Sequence, residues 1–275
     1  MDKRNLRDAF AVAAVLAAVV NVGLVRAQQS ASASMPAAQT AAQPAAPAQT
    51  SPSGHPSNAW RAEHDRQLLV DFGGFARYRE ANMSLAAPQP GEDRVVFMGD
   101  SITDGWKLDV SFPGKPYIDR GIGGQTTPQM LVRFREDVIG LKPKVVVILA
   151  GINDIAGNTG PMTLEQTEEN IASMAELAHA NGIHVVLCSV LPAFDFPWAP
   201  RLTPAPKVVA VNEWIRKYAA AKGDVYVDYH SAMKDERGGL PAALSADGVH
   251  PLPAGYAIMA PLAEEGIEQA LKSRE

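Results

Sequence analysis

The sequence predicts an α/β domain built on a parallel sheet with helices on both faces, and two observations carry that expectation. Short, continuously apolar runs recur along the chain, as expected for strands buried on both sides. Between them lie stretches whose apolar residues fall at helical spacing, and strand–helix alternation of this kind implies parallel strands joined by crossovers.

The expected strands are residues 94–98 (RVVFM), 117–119, 144–150 (KVVVILA), 184–190 (HVVLCSV) and 225–229 (VYVDY). Pro128 suits the first turn of a helix carrying Leu131, Phe134 and Val138 on one face. Thr163 and Gln166 match a capping box ahead of the stripe Ile171, Met174, Ala175 and Ala178, with Gly182 as the stop. Pro206 is expected to open a helix with Val208, Val211, Ile215 and Tyr218, and Pro253 opens the last one. Trp60, Leu68, Phe72 and Phe75 read as a leading amphipathic segment packed on the domain, which Gly73-Gly74 interrupts.

Ahead of this domain the composition changes twice. Lys3, Arg4 and Arg7 precede residues 10–25, apolar apart from Asn21, and Val25-Arg26-Ala27 offers a cleavage point. A run of sixteen residues, fifteen of them apolar, is short for a membrane span and right for a signal peptide over 1–27. The expectation is export to the periplasm or medium with no stable span after processing; retention as an N-terminal membrane anchor is the alternative. Residues 28–57 hold nine Ala, five Pro, six Ser and five Gln with no charge, and read as a disordered linker. Residues 58–275 then form one domain. A net charge of −5 and a pI near 5.7 argue against a nucleic-acid partner. The single cysteine, Cys188, excludes an internal disulfide and sits in an apolar run as a core residue. No histidine pair has zinc-site spacing, so neither metal nor cofactor is expected.

Ligands of an open parallel sheet bind beyond the carboxyl ends of its strands. There the sequence places Gly99-Asp100-Ser101-Ile102-Thr103-Asp104-Gly105-Trp106, Arg120-Gly121-Ile122-Gly123-Gly124-Gln125-Thr126-Thr127, Gly151-Ile152-Asn153-Asp154 and Asp247-Gly248-Val249-His250. The second stretch lacks the lysine of a phosphate-binding loop and fails the G-x-G-x-x-G spacing of a dinucleotide site. Together the four segments supply a hydroxyl, an imidazole, a carboxylate, a carboxamide and glycine N–H groups, the inventory of acyl transfer.

With GDSIT, GIGGQT, GIND and DGVH in that order, the chain resembles the SGNH hydrolase superfamily, the GDSL-type esterases and lipases. The opening GDSIT…W leans towards the bacterial branch related to platelet-activating-factor acetylhydrolase and to lysophospholipase-like esterases. Ile102 stands where the nickname has Leu. The resemblance implies a flavodoxin-like three-layer sandwich with five parallel strands in the order 2-1-3-4-5. It implies Ser101 as nucleophile, Asp247 and His250 as the rest of a triad, and Ser101, Gly124 and Asn153 as oxyanion donors. The chemistry of each residue is compatible. A serine needs a base to take its proton, an aspartate three residues from the histidine can orient the imidazole, and a glycine N–H approaches an oxyanion closely. Ser101 also suits a helix N-cap and Asn153 a turn cap. Asp100 and Asp154 read as structural.

The loop 191–206, with five prolines and with Phe194, Phe196 and Trp198, is the expected specificity element, and Trp106 the opposite wall. The expected function is an exported serine esterase acting on small-molecule or carbohydrate esters, with short acetyl groups on sugars as the favoured substrate. Lysophospholipase or thioesterase action on longer chains is one alternative, and a catalytically silent glycan-binding envelope module is another. Because the linker has too little apolar surface to join a core, a chain starting near Ser57 should keep its melting temperature and specific activity. A large drop in melting temperature on that truncation would show that the segment docks.

Overall fold

The computed structural model describes residues 58–200 and 202–273. The expected signal peptide and linker lie outside the described residues. The sheet is formed by β1 (Val95–Gly99), β2 (Tyr117–Gly121), β3 (Val145–Leu149), β4 (His184–Cys188) and β5 (Val225–Val227). All neighbours pair in parallel, in the order β2-β1-β3-β4-β5 that the resemblance implied. The helices are α1 (Asn58–Val70), α2 (Arg79–Ser84), α3 (Ser101–Asp104), α4 (Leu108–Ser111), α5 (Thr127–Asp137), α6 (Ile152–Ala156), α7 (Leu164–Ala180), α8 (Pro204–Lys222), α9 (Tyr229–Met233) and α10 (Pro253–Lys272). One layer is α5, α7 and α8, packed side by side on the sheet; the other is α10 with α4 and α9.

Every residue of β1 and β3 is buried, so these two strands form the middle of the core, as their unbroken apolar runs predict. Each fully buried Val or Ile there contributes about 1.5–3 kcal/mol relative to exposure. Cys188 is buried at the end of β4, and burial pushes its thiol pKa up to about 12. At α7, Thr163 accepts from the Gln166 N–H and Gln166 accepts from the Thr163 N–H, closing the expected capping box.

Four local expectations are corrected. β2 runs to Gly121 because Arg120 and Gly121 still pair with Met98 and Gly99. β5 stops at Val227: the Asp228 carboxylate accepts the Ser231 N–H and caps α9, which turns the buried Tyr229 into a helix. Helix α8 begins at Pro204 rather than Pro206, since both prolines fit a first turn that has no intrahelical use for their missing N–H groups. The leading segment forms α1, yet Phe72 is 41% exposed and the half-buried Leu68 and Phe75 lie outside the core cluster, so it is not the packed amphipathic helix expected. The chain that follows is held by polar bonds instead. Gln129 Nε2 donates to Phe72 O, Gln125 Nε2 to Gly73 O, and the Tyr78 hydroxyl to Gly121 O.

What places the site is the crowding at the ends of β1 and β2. Gly99 and Gly121 are register partners, and α3 sits directly on them. A Cβ added at Gly121 would lie 2.1 Å from the Asp104 backbone nitrogen, and one at Gly99 would lie 2.0 Å from Thr103 Oγ1. Gly121→Ala should therefore overpack against backbone and cost about 1–3 kcal/mol or more, a fall of roughly 2–12 °C in melting temperature. Gly123→Ala, where the nearest atom would be 3.7 Å from the new methyl, should shift it far less. Equal melting temperatures for the two variants would show that α3 is free to move off the strand ends.

Candidate active site

Helix α3 starts at Ser101, immediately beyond β1, and Asp100 is its N-cap, accepting the Ile102 N–H at 2.9 Å. The cap is thus Asp100 and not Ser101, which leaves the serine hydroxyl for other work. Ser101 Oγ lies 2.9 Å from His250 Nε2, and His250 Nδ1 lies 2.6 Å from Asp247 Oδ2. The other carboxylate oxygen of Asp247 accepts the N–H groups of Val249 (2.9 Å) and His250 (2.8 Å) and the Ser245 hydroxyl (3.1 Å). This turn is local in sequence, which is why Asp and His three residues apart can share it. Leu252 N donates to Leu244 O, and Pro253 then opens α10, so the histidine is fixed just ahead of a long helix. With the proton on Nδ1, facing the carboxylate, Nε2 is left as the acceptor for the serine proton.

The charges reinforce that arrangement. Burial works against ionised Asp247, but the hydrogen bond and charge of His250 and the backbone N–H groups hold it well below the usual carboxylate range. Burial likewise works to lower His250; the hydrogen bond and charge of Asp247, aided by the charge of Asp100, overcome it and raise the imidazole above its ordinary value. Asp100 is fully buried, and desolvation carries it up to about 7 against the pull of the Ile102 N–H and of His250. Its Oδ2 has no hydrogen-bond partner among the described residues.

The glycine loop and the GIND segment meet beside this serine. Gly124 has φ +79°, a conformation that side chains rarely adopt. Asn153 Nδ2 donates to Gln125 O at 3.0 Å, while Asn158 Nδ2 donates to both Gly124 O (2.9 Å) and Asn153 Oδ1 (3.0 Å). One N–H of the Asn153 amide, the Gly124 N–H and the Ser101 N–H have no acceptor among the described residues, so all three are available to a developing negative charge. Asp154 accepts from the Thr127 N–H and hydroxyl at the start of α5, a structural use consistent with its sequence reading. Asn158 and Arg133 were not singled out from sequence. Arg133, wholly buried, donates to Gln125 Oε1, to Asp137 and to Gly99 O. Its position in α5 and Asp137 one turn on were the only signal available.

The expected specificity residues separate. The Trp198 ring centroid lies 6.3 Å from that of His250, which puts Trp198 at the site. Phe196 is fully buried and stacks on Trp198 at 5.2 Å, so it supports the wall without facing the site. Phe194 is half exposed under the Arg237 guanidinium and lines a separate groove of about 440 Å³. Trp106 is 3% exposed among Phe97, Phe112, Tyr229 and Tyr256, with its indole N–H on the Ser111 hydroxyl. Its assignment as a wall is therefore corrected: an apolar ring following α3 finds the core sooner than the cleft. Among the described residues no group of three or more His, Cys, Asp or Glu is placed to hold a metal ion. No described helix is long and apolar enough to cross a membrane.

Three comparisons bear on this geometry. The model of the GDSL-like lipase/acylhydrolase family matches residues 97–258. A crystal structure of a GDSL-like lipase from Bacteroides thetaiotaomicron is 48% identical, covering 73% of this chain and 100% of that one with a TM-score of 0.70. Esterase TesA of Pseudomonas aeruginosa is 29% identical over 61% of this chain and 84% of its own length. An acetylxylan esterase of Xylanibacter ruminicola is 26% identical over 76% of this chain. The chain spans about half the length of two of the curated relatives it matches.

Because a protonated His250 cannot accept the serine proton, turnover should fall with decreasing pH through the pKa of that imidazole. Asp247 and Asp100 raise it, so the acid limb of kcat/KM should centre above the ordinary value of about 6.5. Asp247→Asn should move that limb to lower pH and reduce the rate by up to about 10⁴-fold. A p-nitrophenyl acetate pH profile measures both, and an acid limb that Asp247→Asn leaves in place would contradict the arrangement.

Proposed function

This chain belongs to the GDSL-like lipase/acylhydrolase family and carries the domain of a carboxylic ester hydrolase; on that premise we propose that it is an exported serine esterase removing short acyl groups, acetyl above all, from carbohydrate esters. The observation that carries the catalytic part is the unbroken Ser101–His250–Asp247 relay at 2.9 and 2.6 Å.

In this reading His250 Nε2 takes the proton of Ser101 Oγ as that oxygen attacks the ester carbonyl. The negative charge that develops on the carbonyl oxygen is met by the N–H groups of Ser101, Gly124 and Asn153. Each such donor is worth about 2.7–4 kcal/mol in the transition state. Collapse of the tetrahedral species breaks the bond to the alkoxy oxygen, which leaves with the proton held by His250. Water then attacks the acyl-serine with His250 again as base, giving the carboxylic acid and free Ser101. Asp247 stabilises the imidazolium in both halves without itself taking a proton.

The substrate part rests on two observations. The acetylxylan esterase similarity supports a sugar ester, and Trp198 beside His250 supplies a flat apolar wall of the kind a small acyl group or a sugar face can lie on. Export is supported by the basic start and apolar run of residues 1–27.

Ser101→Ala should lower turnover of p-nitrophenyl acetate by about three orders of magnitude or more, with a residue of catalysis from the oxyanion donors. A fluorophosphonate probe should label the wild-type protein at Ser101 and at no other serine. Labelling elsewhere, or near-normal turnover by a folded Ser101→Ala protein, rejects the assignment. A panel of acyl chain lengths and leaving groups separates acetylated sugars from lysophospholipid.

A further inference from the structure

Beside the nucleophile lies an ion pair that the catalytic reading does not use. Asp104 stands three residues after Ser101, at the other end of α3, so the two side chains share one face of a single helical turn. Gly123, which is exposed, lies beside both. A Cβ there would lie 3.7 Å from Asp104 Oδ2 and 3.9 Å from Ser101 Cβ, so both side chains approach the same glycine. Arg77, from the turn ahead of α2, donates to Asp104 Oδ1 at 3.0 Å, with the two side chains 30% and 20% exposed. The pair is backed by fixed structure: the Arg77 guanidinium lies 5.2 Å from the Tyr78 ring, whose hydroxyl donates to Gly121 O. Asp119, nearby, is occupied by the Gly121 N–H at 2.6 Å. Asp104 Oδ2 and two of the three guanidinium nitrogens of Arg77 have no protein partner among the described residues.

An acceptor and a donor held side by side, with no net charge between them, match the chemistry of two adjacent hydroxyls. One hydroxyl donates to the carboxylate while the oxygen of the other accepts from the guanidinium. A phosphate suits the place poorly, because the Asp104 charge lies within hydrogen-bond distance of the Arg77 guanidinium. We propose that Arg77 and Asp104 form the alcohol-side subsite of this esterase and recognise a vicinal diol of the sugar ring whose ester is cleaved at Ser101. The proposal deepens the carbohydrate-ester reading above and rests on it.

The test compares acetylated xylobiose with p-nitrophenyl acetate, which carries no diol, for the full-length wild type and the variants Asp104→Asn and Arg77→Met. In both variants the ratio of the two kcat/KM values should fall roughly tenfold or more, the scale of a lost hydrogen bond to a charged group, with the change mainly in KM. Methyl β-xyloside should inhibit p-nitrophenyl acetate hydrolysis competitively in the wild type and weaken as an inhibitor in both variants. Arg77→Met removes a partly exposed side chain and carries the test alone if Asp104→Asn fails to fold. A wild type that turns over acetylated xylobiose, with folded variants that keep the ratio and the inhibition within about twofold, overturns the subsite and leaves the carbohydrate reading standing. A wild type that hydrolyses lysophospholipid and ignores the acetylated sugar overturns both.

Discussion

The site depends on one close approach: the backbone of α3 lying against the ends of β1 and β2. Two strands that finish in paired glycines leave room for a helical turn where side chains would have stood. That contact sets the position of Ser101 from below and turns Asp104 to the same cleft. It also explains the length of β2, which pairs through Gly121 so that the strand ends level with β1. At Gly121 a tolerance of a few tenths of an ångström is not available, because the nearest atoms there are backbone, and backbone cannot rotate away.

From this contact polar bonds tie several further parts together. Arg133 reaches from α5 to the Gly99 carbonyl, two residues before Ser101, and to Gln125, next to the glycine loop. Gln125 in turn holds the chain after α1 through Gly73 O. A buried guanidinium is costly unless its donors are satisfied, and here each of its three nitrogens has an acceptor, Asp137 included. Such a network fixes geometry better than it adds net stability. That suits a site whose donors must be aimed before the charge they meet has formed.

The electrostatics of the cleft follow the same economy. Asp247 is kept ionised by its neighbours and His250 is kept basic by Asp247, while Asp100, wholly buried beneath them, is pushed towards neutrality by desolvation. Three titratable groups within one small volume are thus shifted in different directions, Asp247 downward and His250 and Asp100 upward.

The sequence by itself determined the sheet, the strands in their approximate bounds, the capping box at Thr163 and the four polar segments beyond the strand ends. These are local signals: apolar runs, glycine and proline punctuation, and short motifs whose residues act within a few positions of one another. It also brought Asp247 and His250 together, since the turn that joins them is three residues long. Only the tertiary structure decided which aromatic residues reach the site. Trp106 and Phe196 are as apolar as Trp198, and composition cannot tell a ring that fills the core from one that faces a cleft; the packing of α3, α4 and α10 makes that choice. The roles of Asn158, Arg133, Arg77 and Asp104 were hidden for the same reason. Each acts on a partner from another segment, and hydrogen bonds across that separation exist only once the chain has folded.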